Sequence, residues 1–84
     1  MSEINKTIGT RIGACRVARD MTRAELAQKA GNLSAKLVGR IERGTSVVSV
    51  ERLVSIAKAL GVKSSVLTAE ERFDGFLDQA GVSE

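Results

Sequence analysis

Helix caps and glycine stops alternate along this chain, and their alternation constrains its fold more than any other sequence feature. Hydroxyl residues that can accept a backbone N–H precede apolar stretches, and glycines that tolerate a left-handed backbone follow those stretches. In chain order, these caps and stops are Thr22, Gly31-Asn32, Ser34, Gly44, Ser49 and Gly61. Proline, which would break a helix interior, is absent. The sequence therefore predicts an all-α chain of short helices joined by loops of a few residues.

The spacing of apolar residues sets the limits of each predicted helix. We expect helices over about residues 5–19, 23–30, 35–43 and 50–60, followed by one turn or short helix over residues 62–67. A second capping box at residues 68–71 opens a last amphipathic helix. The prediction is a compact five-helix domain over residues 1–67 and a C-terminal helical extension over residues 68–84. That extension belongs either to the same domain or to a dimer interface.

Basic side chains are concentrated in the front part of the chain. Residues 1–52 hold ten basic and five acidic side chains, whereas residues 53–84 hold three and five. A basic face attracts polyanions, although an ordinary solvated surface explains the charge equally well. Histidine, tryptophan and tyrosine are absent. Single-stranded nucleic acid is bound by aromatic stacking, so a polyanionic partner of this chain would be a duplex.

The 84 residues lack the sequence features of membrane, secreted and enzymatic proteins. No stretch approaches about 18 consecutive apolar residues, so we expect no membrane span, and the polar start predicts no signal peptide. A single cysteine, Cys15, forms no disulfide within one chain and fits a reducing compartment. No nucleophile–base pair, metal cluster or phosphate loop is evident. We therefore predict no enzymatic activity, cofactor, metal or small-molecule ligand.

The second and third predicted helices, joined by a tight glycine-containing turn, have the outline of a helix-turn-helix. Four sequence stretches occur in order around it: IGTRIGACRVARDMT (8–22), AELAQKAG (24–31), LSAKLVGRIERG (33–44) and LVSIAKALGV (53–62). In these stretches the chain resembles the Cro/C1-type (XRE-like) helix-turn-helix family of bacterial and phage regulators. The resemblance implies a compact lambda-repressor-like fold and sequence-specific binding to double-stranded DNA in the cytoplasm. The short length favours a restriction–modification controller or Cro-like regulator.

The resemblance also implies which residues touch DNA. Ala35, Lys36 and Arg40 occupy the positions at which the family reads bases. Lys36 and Arg40 share one helix face, and both can bind guanine, so we expect G-containing half-sites. The alternative is that one or both contact only phosphate. The implied phosphate contacts are Thr22, Arg23, Ser34, Arg43, Thr45 and Ser46.

Other positions have structural roles by the same resemblance. Arg16 and Glu42 match a buried ion pair between the first and third helices, since a lone buried charge there would be costly. Cys15 lies on the apolar face of the first predicted helix and is expected to act as a small buried hydrophobic residue. Gly39, in the middle of the third helix, either permits close packing or lets DNA approach. The chain departs from the family by one extra residue near Gly31-Asn32.

A single helix-turn-helix domain contacts few base pairs, so regulators of the resembled family bind palindromic operators as homodimers. The chain has apolar side chains beyond those that the core needs, and we expect them to form the dimer interface. The alternative is that the last helix folds over the monomer core. RNA polymerase is a further candidate partner. A protein–protein interaction module that does not read DNA, such as an antitoxin or anti-regulator, is the competing function. The predicted interface residues are Val47, Val48, Val50, Val54, Val66, Leu67, Phe73, Phe76 and Leu77.

Overall fold

A computed structural model describes residues 3–68 of the chain, and the predicted C-terminal helix with Phe73, Phe76 and Leu77 lies outside the described residues. The described part contains helices and no strand, as predicted. In chain order the helices are α1 (Glu3–Ala18), α2 (Arg23–Lys29), α3 (Ala35–Arg43), α4 (Val50–Leu60) and α5 (Ser64–Thr68).

The local hydrogen bonds explain why the helices begin where they do. Thr22 and Glu25 form the predicted capping box: Thr22 Oγ1 accepts from the Glu25 N–H at 3.0 Å, and the Glu25 carboxylate accepts from the Thr22 N–H at 2.8 Å. Ser34 and Ser49 accept from backbone N–H groups at 3.0 Å and 3.1 Å in the same way. Each bond satisfies a donor that the first helical turn leaves unpaired.

Left-handed residues end the helices. Gly44 and Gly61 follow α3 and α4 with φ values of 78° and 75°. Between α2 and α3, Gly31 and Asn32 are both left-handed, with φ values of 112° and 63°. A short asparagine side chain tolerates this conformation better than most residues do. Helix α1 ends at Ala18, before the predicted residue 19, and Asp20 has a φ of 61°.

The hydrophobic core lies where all five helices meet. Helix α1 packs against α3, α4 and α5, and α2 packs against α3 and α4. The largest fully buried side chains are Ile12, Leu26, Ile41, Ile56, Leu60, Leu67, Val38 and Cys15. Burial of such side chains contributes most of the stability of a small helical domain.

The predicted dimer interface is wrong at Val66 and Leu67. Both side chains are buried within the single chain, because α5 packs against α1 and α4. Their apolar surface is therefore already covered in the monomer and is not available to a second copy. Val47 and Val50 remain exposed, Val54 is exposed to a lesser degree, and Val48 is half-buried.

Arg11 is a second departure from the sequence-based expectation. It was counted with the basic front of the chain, yet it is buried. Its Nη1 donates a hydrogen bond of 2.9 Å to the carbonyl oxygen of Val66. The guanidinium thus links α1 to α5 and does not add to the outer basic surface.

Among residues 3–68, no helix combines the length and the apolar character needed to cross a membrane.

Candidate nucleic-acid interface

The α2–turn–α3 unit is a rigid support for side chains on its outer surface. Leu26 and Ala27 of α2 and Val38 and Ile41 of α3 are buried between the helices. The Leu33 N–H donates to the Ala27 carbonyl at 2.9 Å and closes the turn. Apolar packing and this bond fix the orientation of α3 relative to α2.

The outer face of α3 presents the three residues that were predicted to read bases. Ala35, Lys36 and Arg40 are all exposed. Neither the Lys36 ammonium group nor the Arg40 guanidinium group forms a hydrogen bond or ion pair with any other residue between 3 and 68. Their charges are therefore available to an external acceptor. A helix of this width fits the major groove of B-form DNA, where lysine and arginine can bind guanine.

Two hydroxyl groups border this face at the beginnings of α2 and α3. Thr22 and Ser34 each use their side-chain oxygen to accept a backbone N–H. A hydroxyl that accepts one bond still carries its own proton. Both residues can therefore cap a helix and donate to a phosphate oxygen at the same time.

Thr45 is less suited to its predicted phosphate contact. Its hydroxyl donates to the Arg40 carbonyl at 3.2 Å, and its backbone N–H donates to the same oxygen at 3.0 Å. Both of its donors already serve the end of α3, so a phosphate would have to replace one of these bonds. Ser46, the neighbouring residue, is half-buried.

The predicted pair between Arg16 and Glu42 is present and joins α1 to α3. Arg16 Nε lies 2.7 Å from Glu42 Oε2, and Arg16 Nη1 donates to the Met21 carbonyl at 2.7 Å. The Glu42 side chain is only 7% exposed. A buried carboxylate needs such a partner, because an unpaired charge in the interior is strongly destabilising.

Glu42 has a second partner that sequence reasoning missed. Arg23 Nε donates to Glu42 Oε1 at 3.0 Å. Arg23 was predicted as a DNA contact, to phosphate and with the reach for a base edge, and nothing in its local sequence indicated a bond to a residue of α3. No sequence signal identifies this pair, because the two residues lie 19 positions apart on different helices.

Arg43 and Gly39 complete the neighbourhood of Arg23. A Cβ placed on Gly39 would lie 3.4 Å from Arg43 Nη1 and 3.8 Å from Arg23 Nη1. The two guanidinium groups therefore flank the bare backbone of Gly39. Beside them runs an open groove of about 570 Å³, lined by Gly9, Thr10, Gly13, Ala14, Arg16, Val17, Ala18, Arg23, Glu42 and Arg43.

Cys15 and the acidic residues between positions 3 and 68 are not arranged for nucleophilic or metal chemistry. Burial raises the pKa of the Cys15 thiol, and the nearby charge of Arg19 opposes this only in part. A buried thiol with a raised pKa is a poor nucleophile and metal ligand. Within residues 3–68, no group of three or more cysteine, aspartate or glutamate side chains is placed to hold a metal ion.

A helix-turn-helix with exposed basic residues on its second helix defines a class of protein, the DNA-binding transcription regulators. The helix-turn-helix family profile matches residues 12–67. The chain belongs to this Cro/C1-type helix-turn-helix family. Its fold and its family are those of regulatory DNA-binding proteins.

Individual relatives agree with this assignment. The immunity repressor protein of Bacillus phage phi105 is 42% identical over 65 residues, which cover 77% of this chain and 44% of that repressor. The chain thus spans less than half the length of this curated relative.

Solved structures of two regulators are also similar. The restriction–modification controller protein C.AhdI from Aeromonas hydrophila is 30% identical with a TM-score of 0.72, over 75% of this chain and 94% of that one. The clp gene regulator ClgR from Corynebacterium glutamicum is 27% identical with a TM-score of 0.77, over 95% of this chain and 83% of that one.

Proposed function

We propose that this chain is a sequence-specific regulator of transcription that binds a palindromic operator in double-stranded DNA as a homodimer. In this proposal, α3 enters the major groove with Ala35, Lys36 and Arg40 against the base edges. Thr22, Arg23, Ser34 and Arg43 contact the phosphates on either side, with a smaller part for Thr45 and Ser46. Phosphate contacts set the position of α3, and base contacts give the sequence preference.

One observation carries the proposal: Lys36 and Arg40 extend from the outer face of a helix whose inner face is locked into the core. They lie four residues apart and without internal partners among the described residues, so both can reach one short stretch of groove. Ala35, at the first turn, offers only a methyl group, which suits contact with a thymine methyl. The expected half-site therefore contains guanine, with thymine close by.

The direct experiment is selection of bound duplexes from a random pool by the full chain, at low and at moderate salt. We expect a palindromic consensus whose half-sites contain guanine. Uniform retention of all sequences that disappears steeply with salt would contradict specific reading and leave only nonspecific electrostatic binding. Retention of no duplex at either salt concentration would favour the interaction-module alternative.

Arg40→Ala tests the base contact within that site. We expect weaker binding of the selected sequence and little change for arbitrary duplexes, because a bidentate contact to guanine contributes on the order of 1–3 kcal/mol of discrimination. Lys58→Ala is the matched control, since Lys58 is an exposed basic residue of α4. The control removes the same charge. If both variants lose affinity equally on every sequence, Arg40 does not read a base.

The dimer part of the proposal rests on exposed valines. Val50 is 78% exposed at the start of α4, Val47 is similarly exposed in the preceding loop, and Val54 lies one turn further along α4. We expect the full chain to sediment as a dimer at micromolar concentration. Val50→Glu should shift it towards the monomer, whereas Val17→Glu, at a 64% exposed valine of α1, should not. A monomeric wild-type chain would rule out this part.

A further inference from the structure

Two arginines bind the Glu42 carboxylate, although one would be enough to neutralise it. Arg16 already neutralises the carboxylate through its bond to Oε2, and it is itself largely buried with only 14% of its side chain exposed. Arg23 binds the other oxygen, Oε1, to which Arg16 Nη2 also donates at 3.4 Å, although 46% of the Arg23 side chain is exposed. Solvent screens the exposed Arg23 end of this pair, so the bond adds less to folding stability than the bond from buried Arg16 does. The bond from Arg23 therefore calls for an explanation other than stability.

The bond fixes the orientation of the Arg23 guanidinium. Only Nε of Arg23 is used, and its two terminal amino groups donate to no other residue among 3–68. A guanidinium is planar, so one anchored donor restricts the direction in which the remaining donors point. Arg23 thus keeps unused donors in a restricted orientation near the protein surface.

Arg43 supplies a second guanidinium to the same place. The Nη1 atoms of Arg23 and Arg43 both come within 4 Å of the point at which a Cβ of Gly39 would stand. Two positive groups this close repel each other, and Glu42, which binds Arg23, already has Arg16 as its buried partner. The groove beside them, of about 570 Å³, is open to solvent and is lined in part by small residues of α1. An anion held between the two guanidinium groups would relieve the repulsion.

We propose that Arg23 and Arg43 bind one and the same phosphate of the DNA backbone above Gly39, and that Glu42 is the positioning residue that orients Arg23 for it. This inference rests on the proposed function, because the anion is a phosphodiester of the bound duplex. Its two unbridged oxygens match two guanidinium groups, and arginine binds phosphate in a bidentate manner. The buried pair of Arg16 and Glu42, which joins α1 to α3, therefore also supports a DNA contact.

Orientation is tested with Arg23→Lys, which keeps the charge but loses the Nε bond and the planar donor pair. We expect about tenfold weaker binding of the selected duplex, with an unchanged dependence on salt. Arg52→Lys is the matched control, since Arg52 is an exposed arginine of α4, and it should bind as the wild type does. Wild-type affinity of Arg23→Lys would overturn the positioning role of Glu42.

The shared phosphate is tested by the salt dependence of three variants, Arg23→Gln, Arg43→Gln and their combination. One phosphate contact contributes about 0.9 to the slope of log affinity against log salt. If both arginines hold one phosphate, each single variant keeps most of the slope, and the double variant loses about 0.9 in total. Loss of about twice that value by the double variant would show two separate phosphates and overturn the proposal.

Glu42→Gln adds a direct test where the variant folds. Circular dichroism at the binding temperature establishes that it does. Arg23→Lys should then weaken binding much less in the Glu42→Gln background than in the wild type, because the orienting carboxylate is already gone. Equal effects in both backgrounds would contradict the coupling. If Glu42→Gln does not fold, the lysine and glutamine variants above still decide the matter. Failure of the wild type to bind any duplex would instead refute the proposed function.

Discussion

Gly9 of α1 lies directly against the backbone carbonyl of Ile41 in α3. A Cβ on Gly9 would overlap that oxygen and would also stand 2.7 Å from the carbonyl oxygen of Glu42. These are backbone atoms of a packed helix, which cannot turn aside as the end of a flexible side chain can. The absence of a side chain at residue 9 is therefore what lets α1 and α3 approach each other, and the ion pair of Arg16 with Glu42 lies along the same helix contact.

Gly9→Ala is expected to destabilise the fold. Alanine favours a helix over glycine by about 1 kcal/mol, but overpacking at this contact should cost about 1–3 kcal/mol or more, so the net effect is a loss. Urea unfolding followed by circular dichroism measures it. Gly13→Ala is the control in the same helix, because the nearest atoms to its Cβ would be those of the Glu42 side chain, at 3.4 Å, and not backbone atoms. Equal stability of the two variants would contradict the close approach.

Arg16→Met and Glu42→Met should each be strongly destabilising, by about 3–5 kcal/mol, because each leaves one buried charge without its main partner. The double variant replaces both charges with apolar groups, and it should lose less than the sum of the two single losses. Chemical unfolding of all three proteins completes a double-mutant cycle. Strictly additive losses would mean that the two side chains do not interact in solution.

Arg11→Met should loosen the attachment of α5 to α1. The variant removes the bond to the Val66 carbonyl, and a lost bond to a charged donor costs about 1.5–3 kcal/mol. Unfolding in urea measures the decrease in the free energy of unfolding, and the backbone amides of α5 should exchange their hydrogens faster. Arg52→Met, at an exposed arginine of α4, serves as the comparison and should change the stability little. A neutral effect of Arg11→Met would show that this bond does not hold α5.

The Cys15 thiol should be protected from reagents in the native protein. Burial removes it from solvent and raises its pKa, so less of the reactive thiolate is present at a given pH. At pH 8, a thiol-specific reagent should label the native chain far more slowly than the urea-unfolded chain. Rapid labelling of the folded chain would indicate that the helix contact around Cys15 opens readily.

Gly39→Ala should separate stability from DNA binding. Its Cβ would be in ordinary contact with the ends of two flexible arginine side chains, so helix propensity should raise the free energy of unfolding by up to about 1 kcal/mol. The same methyl group would occupy the space between Arg23 and Arg43, and we expect several-fold weaker binding of the selected duplex. Undiminished affinity would show that DNA does not approach the Gly39 backbone.

The helix limits followed closely from the sequence because caps are local. Thr22 and Ser34 bond to residues three positions away. A glycine that adopts the left-handed conformation ends a helix through bonds to the last helical turn. Helices α3 and α4 begin and end where the sequence placed them. Helix α1 was less well delimited, since Asp20 is a weaker indication of a helix end than glycine is.

The sequence predicted the part of the candidate interface that lies on the outer face of α3. The exposure of Lys36 and Arg40 followed from the apolar stripe of Val38 and Ile41 on the other side of α3. The burial of Leu67 did not follow, because a short helix carries too few residues to show which side faces the core. The phosphate contacts, the base contacts and the dimer remain predictions.

The sequence by itself determined the order of the helices, their caps and the outward face of α3, since these depend on interactions within a few residues. The family resemblance indicated the pair of Arg16 with Glu42, and only the tertiary structure decided the partners of Arg11 and Arg23. Arg11 bonds to a carbonyl 55 positions away, and Glu42 is shared by arginines 26 and 19 positions away. Such partners are brought together by helix packing, and Gly9 permits the close contact of α1 with α3 at which Arg16 meets Glu42.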